Sequence, residues 1–235
     1  MTISVSIVPP RAEIFSNALH RHLAMTNSAS IEQLHAADFA EFIAYLNDHL
    51  SDNGSVEAGY FQPLPRSHAR FPADREAAFR EGLAAGIRAK GWRRAWVARS
   101  AGGEIIGHVD LRSHPESFTE HRCLLGMGVD RRHRRAGLGV ALIAHARQWA
   151  TDVAQIEWID LQVISANQAA VGLYQRAGFV KVGESPDMFR IDGRCLSYTS
   201  MSLRLVSNED QSREQACAVS ARTDAPPGPI ASLYD

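Results

Sequence analysis

Leu124-Leu-Gly-Met-Gly-Val-Asp-Arg-Arg-His-Arg-Arg-Ala-Gly-Leu-Gly-Val-Ala-Leu-Ile143 is the stretch on which the fold and the chemistry of this chain turn. An apolar strand ending at Val129 runs into a polar, basic loop, and a turn containing Gly137 and Gly139 opens an amphipathic helix at Leu138. Glycine lets backbone approach a ligand closely. The unpaired amides of a helix's first turn lie at the positive end of its dipole, and together these features bind phosphate oxygens. Arg134 and Arg135 add charge and donors suited to a pyrophosphate, and Ala136 belongs to the same turn. Gly126 and Gly128 sit inside the strand, where glycine marks a bulge or a close approach.

Other phosphate-binding patterns fit poorly. A Walker loop needs Gly-Lys-Ser/Thr, which is absent. A dinucleotide fingerprint needs GxGxxG directly after a strand, whereas Gly137-x-Gly139 is followed by Ala141-Leu142 and lies well past Val129. As an isolated run, Arg131-Arg-His-Arg-Arg135 reads equally as a solvated basic loop or a nucleic-acid contact. Its place before the glycine turn favours phosphate instead.

Working outward, the segment Asn167-x-x-Ala170-x-x-Leu173-Tyr174-x-x-x-Gly178-Phe179 reads as a second helix running into a strand. Asn167 alone suggests an N-cap, and Tyr174 alone an amphipathic core residue. Seven positions apart, they share one helix face, separated along it by roughly 10 Å. Upstream, strands are expected at 30–34, 95–99, 104–111 and 123–129, with helices at 37–50 and from about Pro72 to Lys90, where Gly91 can cap. Downstream, a helix is expected at 138–150, a strand at 156–164, a helix at 167–177 and strands at 179–182 and 198–205. This alternation indicates one α/β domain with a mixed sheet. Residues 1–28 read as an N-terminal extension with a helix-permissive stretch at 11–24, 29–206 as the domain, and 207–235 as a flexible tail around Ala225-Pro-Pro-Gly-Pro229.

Composition narrows the partners. A formal net charge of −1 offers no overall attraction to nucleic acid or an acidic membrane. No apolar run approaches the ~20 residues of a membrane span, and MTISVSIVPPRAEIF lacks the form of a secretory signal. The cysteines, Cys123, Cys195 and Cys217, are odd in number and widely spaced, which suits a reduced, cytoplasmic protein. Despite 10 histidines, no HExxH or CxxC is present, so no metal site is expected.

Val129-x(4)-Arg134-x-x-Gly137-x-Gly139, followed by the second motif at Asn167–Phe179, resembles the GNAT superfamily of N-acetyltransferases over about residues 30–205. Gly107–Leu111, His121–Val129 and Asp187–Arg194 resemble the branch acting on free amino acids or other small amines. The resemblance implies a mostly antiparallel sheet of about six or seven strands with about four helices, and a central strand that splays from its neighbour at a bulge. It implies acetyl-CoA as co-substrate, held by Met127, Gly128 and Val129 along the strand, by Arg134 to Gly139 in the turn, and by Asn167. It makes Tyr174 the general acid that protonates the departing thiolate. It further implies direct transfer to a small-molecule amine, with no acyl-enzyme on Cys123, and is compatible with a homodimer. The residue that takes the amine proton stays open. His108 and Asp110 alternate onto one strand face and either is a candidate, although Asp110 reads first as an exposed polar residue. Glu120 and His121 are weaker candidates. The loop Tyr60–Arg66 and the turn Phe189–Arg194 are expected to flank the acceptor, with Tyr60 and Phe61 favouring an apolar or aromatic one.

Overall fold

The alternating apolar residues of the two expected central strands pair as a hairpin in the middle of a sheet. A computed structural model describes residues 29–205 of the chain, so the expected helix at 11–24 and the tail lie outside the described residues. The strands are β1 (Ser30–Gln33), β2 (Arg93–Arg99), β3 (Ile105–Arg112), β4 (Arg122–Val129), β5 (Trp158–Ile164), β6 (Val180–Ile191) and β7 (Arg194–Arg204), in spatial order β1-β2-β3-β4-β5-β7-β6. Among the described residues, only the pairing of β4 with β5 is parallel. The helices are α1 (Phe39–Leu50), α2 (Ala73–Ala84), α3 (Leu138–Asp152) and α4 (Gln168–Arg176).

The period-two alternation of β2 divides its side chains between two cores. Ala95 and Val97 join Phe39, Phe42 and Phe79 beneath α1 and α2. Trp96 and Ala98 join Leu142, Ala146 and Ala150 beneath α3, where the Trp96 and Trp149 rings meet edge-on at 5.1 Å. Each fully buried Leu, Val or Phe contributes about 1.5–3 kcal/mol relative to exposure. Tyr174 and Phe179 extend the second core under α4. Among the described residues, no helix is long and apolar enough to cross a membrane.

The sheet opens between β4 and β5. Their register runs only over Arg122↔Trp158, Cys123↔Ile159 and Leu124↔Asp160, while β5 continues beside β7 as far as Ile164↔Tyr198. Asp160 clamps the closed end: it accepts from Arg122 Nε at 2.8 Å, Arg122 Nη2 at 2.6 Å and Ser202 Oγ at 2.6 Å, and it meets His114 Nε2 at 3.0 Å. Beyond this clamp the strands diverge and leave one edge of β4 free. The expected splay is present, but the bulge is not: β4 stays in unbroken register with β3 from Arg112↔Leu124 to Gly107↔Val129.

Two expected boundaries move. Helix α2 stops at Ala84 rather than near Lys90, because the chain folds back at Ala85 (φ −68°, ψ 145°) and Arg94 takes over its final carbonyls. Arg94 Nη1 donates to Leu83 O at 3.2 Å and Nη2 to Ala85 O at 2.9 Å. The closing strands are also much longer than expected. Pro186 and Asp187 look like strand breakers, but β6 is an edge strand, where proline is tolerated. A register shift between Ser185 and Phe189, with Asp187 at φ 48°, absorbs them. The hairpin turns at Asp192-Gly193, both at positive φ, the Asp-Gly pair that tight hairpins favour.

Candidate active site

The wedge between β4 and β5 widens into a cleft of about 1280 Å³ that passes from the α3 end of the sheet to the α1–α2 side. The cofactor-binding and acid candidates line it except Ala136 and Leu138, and so do His108 and Asp110, whereas Glu120 and His121 are not among its lining residues. Leu138 is buried in the core and Ala136 is exposed, so both can offer only backbone.

At one mouth, the chain leaves β4 and coils through Arg131–His133 before α3 begins. Arg135 (φ 63°) and Gly137 (φ 82°) are both left-handed, and Gly137 caps α3 without any side-chain bond. From Arg134 to Gly139, the backbone N–H groups find no acceptor among the described residues; the first amide bonded back into α3 is Val140, to Gly137 O at 3.0 Å. The basic run is divided in two. Arg131 pairs with Asp48 and Asp52, and Arg132 and His133 pair with Asp130, which leaves Arg134 and Arg135 at the cleft without a carboxylate among the described residues. Arg131 and Arg132 are thus ion-paired within the fold, and Arg134 and Arg135 are the guanidinium groups of the run left for a ligand. Gly139 has a second function: a Cβ there would sit 2.9 Å from Leu173 Cδ2, so it lets α3 and α4 pack closely.

The free edge of β4 follows from its pairing. Asp130 N donates to Ile106 O at 2.9 Å, so Asp130 faces β3, and by alternation Gly128 and Gly126 do too. Met127 and Val129 therefore turn their amides and carbonyls to the open wedge, and Arg134 Nε meets Val129 O there at 3.2 Å. The glycines serve side-chain space rather than a bulge. A Cβ at Gly126 would lie 2.5 Å from Asp110 Oδ1, and one at Gly128 would lie 2.7 Å from His108 Cε1 and 2.9 Å from His49 Nε2.

Asn167 caps α4, accepting from Ala170 N at 3.2 Å through Oδ1, while its Nδ2 has no acceptor among the described residues. Two turns on, Tyr174 is buried against Phe179, ring to ring at 5.7 Å. Its hydroxyl has no partner among the described residues and lines the cleft. Burial pushes its pKa well above the usual tyrosine value, so the proton stays on at neutral pH. Cys123 is wholly buried, and burial drives its thiol pKa up, so it is not a nucleophile.

The far end of the cleft brings His108 and Asp110 together with His49, which sequence pattern did not single out, and Tyr45 backs them. Tyr45 Oη meets Gly128 O at 3.3 Å and His108 Nδ1 at 3.3 Å. If the single hydroxyl proton goes to the carbonyl, Nδ1 must be the protonated ring nitrogen. Burial pushes His108 down to about 3 and His49 down to about 4, so both rings are neutral at pH 7. Asp110 is buried, not exposed as its sequence context suggested, and is held by Arg112 Nη1 at 3.1 Å and Arg93 Nη1 at 3.6 Å. Tyr45 and His49 are one turn apart on α1 beside Phe42 and Leu46; their helical spacing was a usable signal masked by counting only apolar positions.

The two expected flanking loops do meet here. Asp192 accepts from Tyr60 Oη at 2.5 Å and from Arg66 N at 2.9 Å. Tyr60 is therefore a buried latch between the loops, while Phe61 and Phe189 face the cleft. The 60–65 loop is shaped by the fully buried Asn53. Its Oδ1 accepts from Phe61 N at 3.0 Å and Gln62 N at 2.9 Å, and its Nδ2 donates to Gln62 O at 3.1 Å and Leu64 O at 2.9 Å.

A family model described as the acetyltransferase (GNAT) family matches residues 60–179, about half of the chain and all of this site except α1 and the β6–β7 hairpin. The chain belongs to the GNAT acetyltransferase family. Among its relatives, an L-methionine sulfoximine/L-methionine sulfone acetyltransferase of Pseudomonas paraeruginosa is 29% identical over 76% of this chain and 95% of its own length. The NAA10 catalytic subunit of the N-terminal acetyltransferase A complex of Arabidopsis thaliana is 30% identical, matched over 42% of this chain and 51% of its own. The chain thus spans only about half the length of that relative. A GNAT-family acetyltransferase of Streptococcus pneumoniae shares the fold at a TM-score of 0.62 and 24% identity, over 76% of this chain and 99% of that one.

Proposed function

We propose that this GNAT-family chain transfers an acetyl group from acetyl-CoA directly to the primary amine of a small molecule, with amino acids as the leading acceptor class. The observation that carries this reading is the run of acceptorless amides from Arg134 to Gly139, opening onto a wedge whose other wall ends in the partnerless hydroxyl of Tyr174. The relative named for acetylating methionine sulfoximine and sulfone, matched over nearly its whole length, supports an amino-acid-like acceptor.

Acetyl-CoA supplies an activated thioester, and the groups needed to hold it are at hand. The turn amides with Arg134 and Arg135 suit a pyrophosphate. Met127 and Val129 offer strand edge to the amides of the pantetheine arm, and Asn167 Nδ2 offers one more donor. An amide on this edge can also polarise a carbonyl as negative charge develops on it. Tyr174 keeps its proton and stands ready to give it to a departing thiolate. For the amine's proton no strong base is present among the candidates: Asp110 is bound in ion pairs and His108 is a weak base. The acceptor therefore reacts as its neutral form, releasing its proton to solvent.

This reading includes a cytoplasmic setting and a domain bounded at 29–206. The free thiols of Cys123 and Cys195 support the former. The test is thiol release from acetyl-CoA across amino acids, arylamines, aminoglycosides and polyamines, with the N-acetyl product identified by mass. Tight acetyl-CoA binding without thiol release from any amine would instead describe an acyl-CoA-binding protein that does not turn over.

A further inference from the structure

The cleft carries two separate groups of arginines. Arg134, Arg135 and Arg176 stand at the turn end, and Arg75, Arg93 and Arg112 at the other, while the acids lining the whole cleft are Asp110 and Glu57. Phosphates account for the first group. The second is far along the cleft, on the α1–α2 face of the sheet, where an acceptor has to sit.

This second group is built, not incidental. Asp110, with its side chain 7% exposed, is a buried carboxylate lying over Gly126, where any Cβ would strike it at 2.5 Å and Arg112 Nη1 at 3.1 Å. It holds Arg112 at 3.1 Å and Arg93 at 3.6 Å, and Arg93 is further committed to the face of the Phe79 ring at 4.1 Å. Arg112 keeps donors that Asp110 does not use, and Arg75, from the first turn of α2, has no ion pair or hydrogen bond among the described residues. Burial lowers the Arg93 pKa, and Arg112 and Arg75 push the same way against Asp110, as expected for guanidinium groups gathered with too little negative charge. One carboxylate among three guanidinium groups leaves this end of the cleft short of an anion.

We infer that Arg112 and Arg75 bind a carboxylate of the acceptor, with Asp110 and Arg93 positioning Arg112, so that the substrate is an amino acid and not a simple amine or polyamine. The inference rests on the acetyl-transfer reading and narrows it. Phe61, Phe189 and Tyr198 beside the cluster suit an apolar or aromatic side chain.

The test compares L-phenylalanine, L-phenylalaninamide and phenethylamine as acceptors for the full chain. The carboxylate should be worth roughly 30-fold or more in kcat/KM, as expected for a charge-assisted contact. The amide's amine is the least basic of the three, so more of it is neutral near pH 7, and its failure points to the lost charge. Arg75→Gln, on an exposed helix surface where folding is not at risk, should lower kcat/KM for phenylalanine about tenfold through KM, as should Arg112→Gln. Neither should change phenethylamine turnover or acetyl-CoA affinity more than about twofold. Phenethylamine turned over as well as phenylalanine, or Arg75→Gln weakening both acceptors alike, would overturn the carboxylate site while leaving acetyl transfer intact. No thiol release with any amine would instead sink the acetyl-transfer reading, and this inference with it.

Discussion

The two ends of the cleft are built on different principles. The turn end is made of backbone: consecutive amides, two left-handed residues and a helix start, drawn from one short stretch of chain. The acceptor end is made of side chains delivered by α1, by the 60–65 loop, by α2 and by the β2–β3 hairpin, spread over about 70 residues of sequence. Backbone recognition depends on local conformation, so it leaves a compact motif. Side-chain recognition depends on register and packing, so it leaves almost none. The comparison teaches where substrate specificity is free to vary: at the end that no motif fixes.

The largest effect should fall where the two ends meet. Tyr174→Phe keeps the ring against Phe179 and removes only the proton donor. General acid help is worth ~10²–10⁴-fold, so kcat should fall by that much with acetyl-CoA affinity nearly unchanged. A single-turnover rate within about twofold of the wild type would reduce Tyr174 to a core residue.

Next comes the scaffold of the acceptor end. Asn53→Ala strands four backbone partners of the 60–65 loop and should cost about 2–4 kcal/mol in chemical denaturation. Acceptor KM should rise while acetyl-CoA affinity holds, because among the described residues no hydrogen bond or ion pair joins the Arg134–Gly139 turn to this loop. Equal damage to both would show that the ends are one cooperative unit.

That division matches what was legible beforehand. The strand–turn–helix at 124–143 and the Asn167–Phe179 helix announce themselves because glycine, charge and periodicity fall in one window. Asp110 looked like a surface residue, since no local pattern reveals that Arg93, opposite Arg112 on β2, reaches it diagonally and that the pair is buried. Tyr60 looked like a substrate contact because its partner, Asp192, is far along the chain. The long β6–β7 hairpin was hidden by Pro186 and Asp187, which only an edge position and a register shift make tolerable. The strand glycines suggested a bulge, and the actual reason, room for His108, His49 and Asp110, is a tertiary fact.

A pH-dependent effect separates the ends again. His108 and His49 have folded pKa values depressed to about 3 and about 4, below the unfolded value of about 6.5. Their neutral burial costs nothing above pH 6.5; as pH falls below it, the unfolded chain gains protons that the native state refuses. Stability should therefore decline between about pH 6.5 and pH 4, by up to ~1.4 kcal/mol per pH unit for each histidine. His108→Gln should flatten the fall of Tm with pH over that window, and an unchanged slope would show that His108 titrates normally in the folded protein.

The most direct test of the central claim is an acetyl-CoA titration by calorimetry, with wild-type protein and Gly137→Asp. Gly137 sits at φ 82° among amides without acceptors, and an aspartate there adds a strained Cβ and a negative charge where phosphate should lie. If the turn holds the cofactor, Kd should rise at least tenfold, about 1.4 kcal/mol, in a variant whose circular dichroism is unchanged. A folded variant that binds acetyl-CoA as tightly as the wild type would contradict the account.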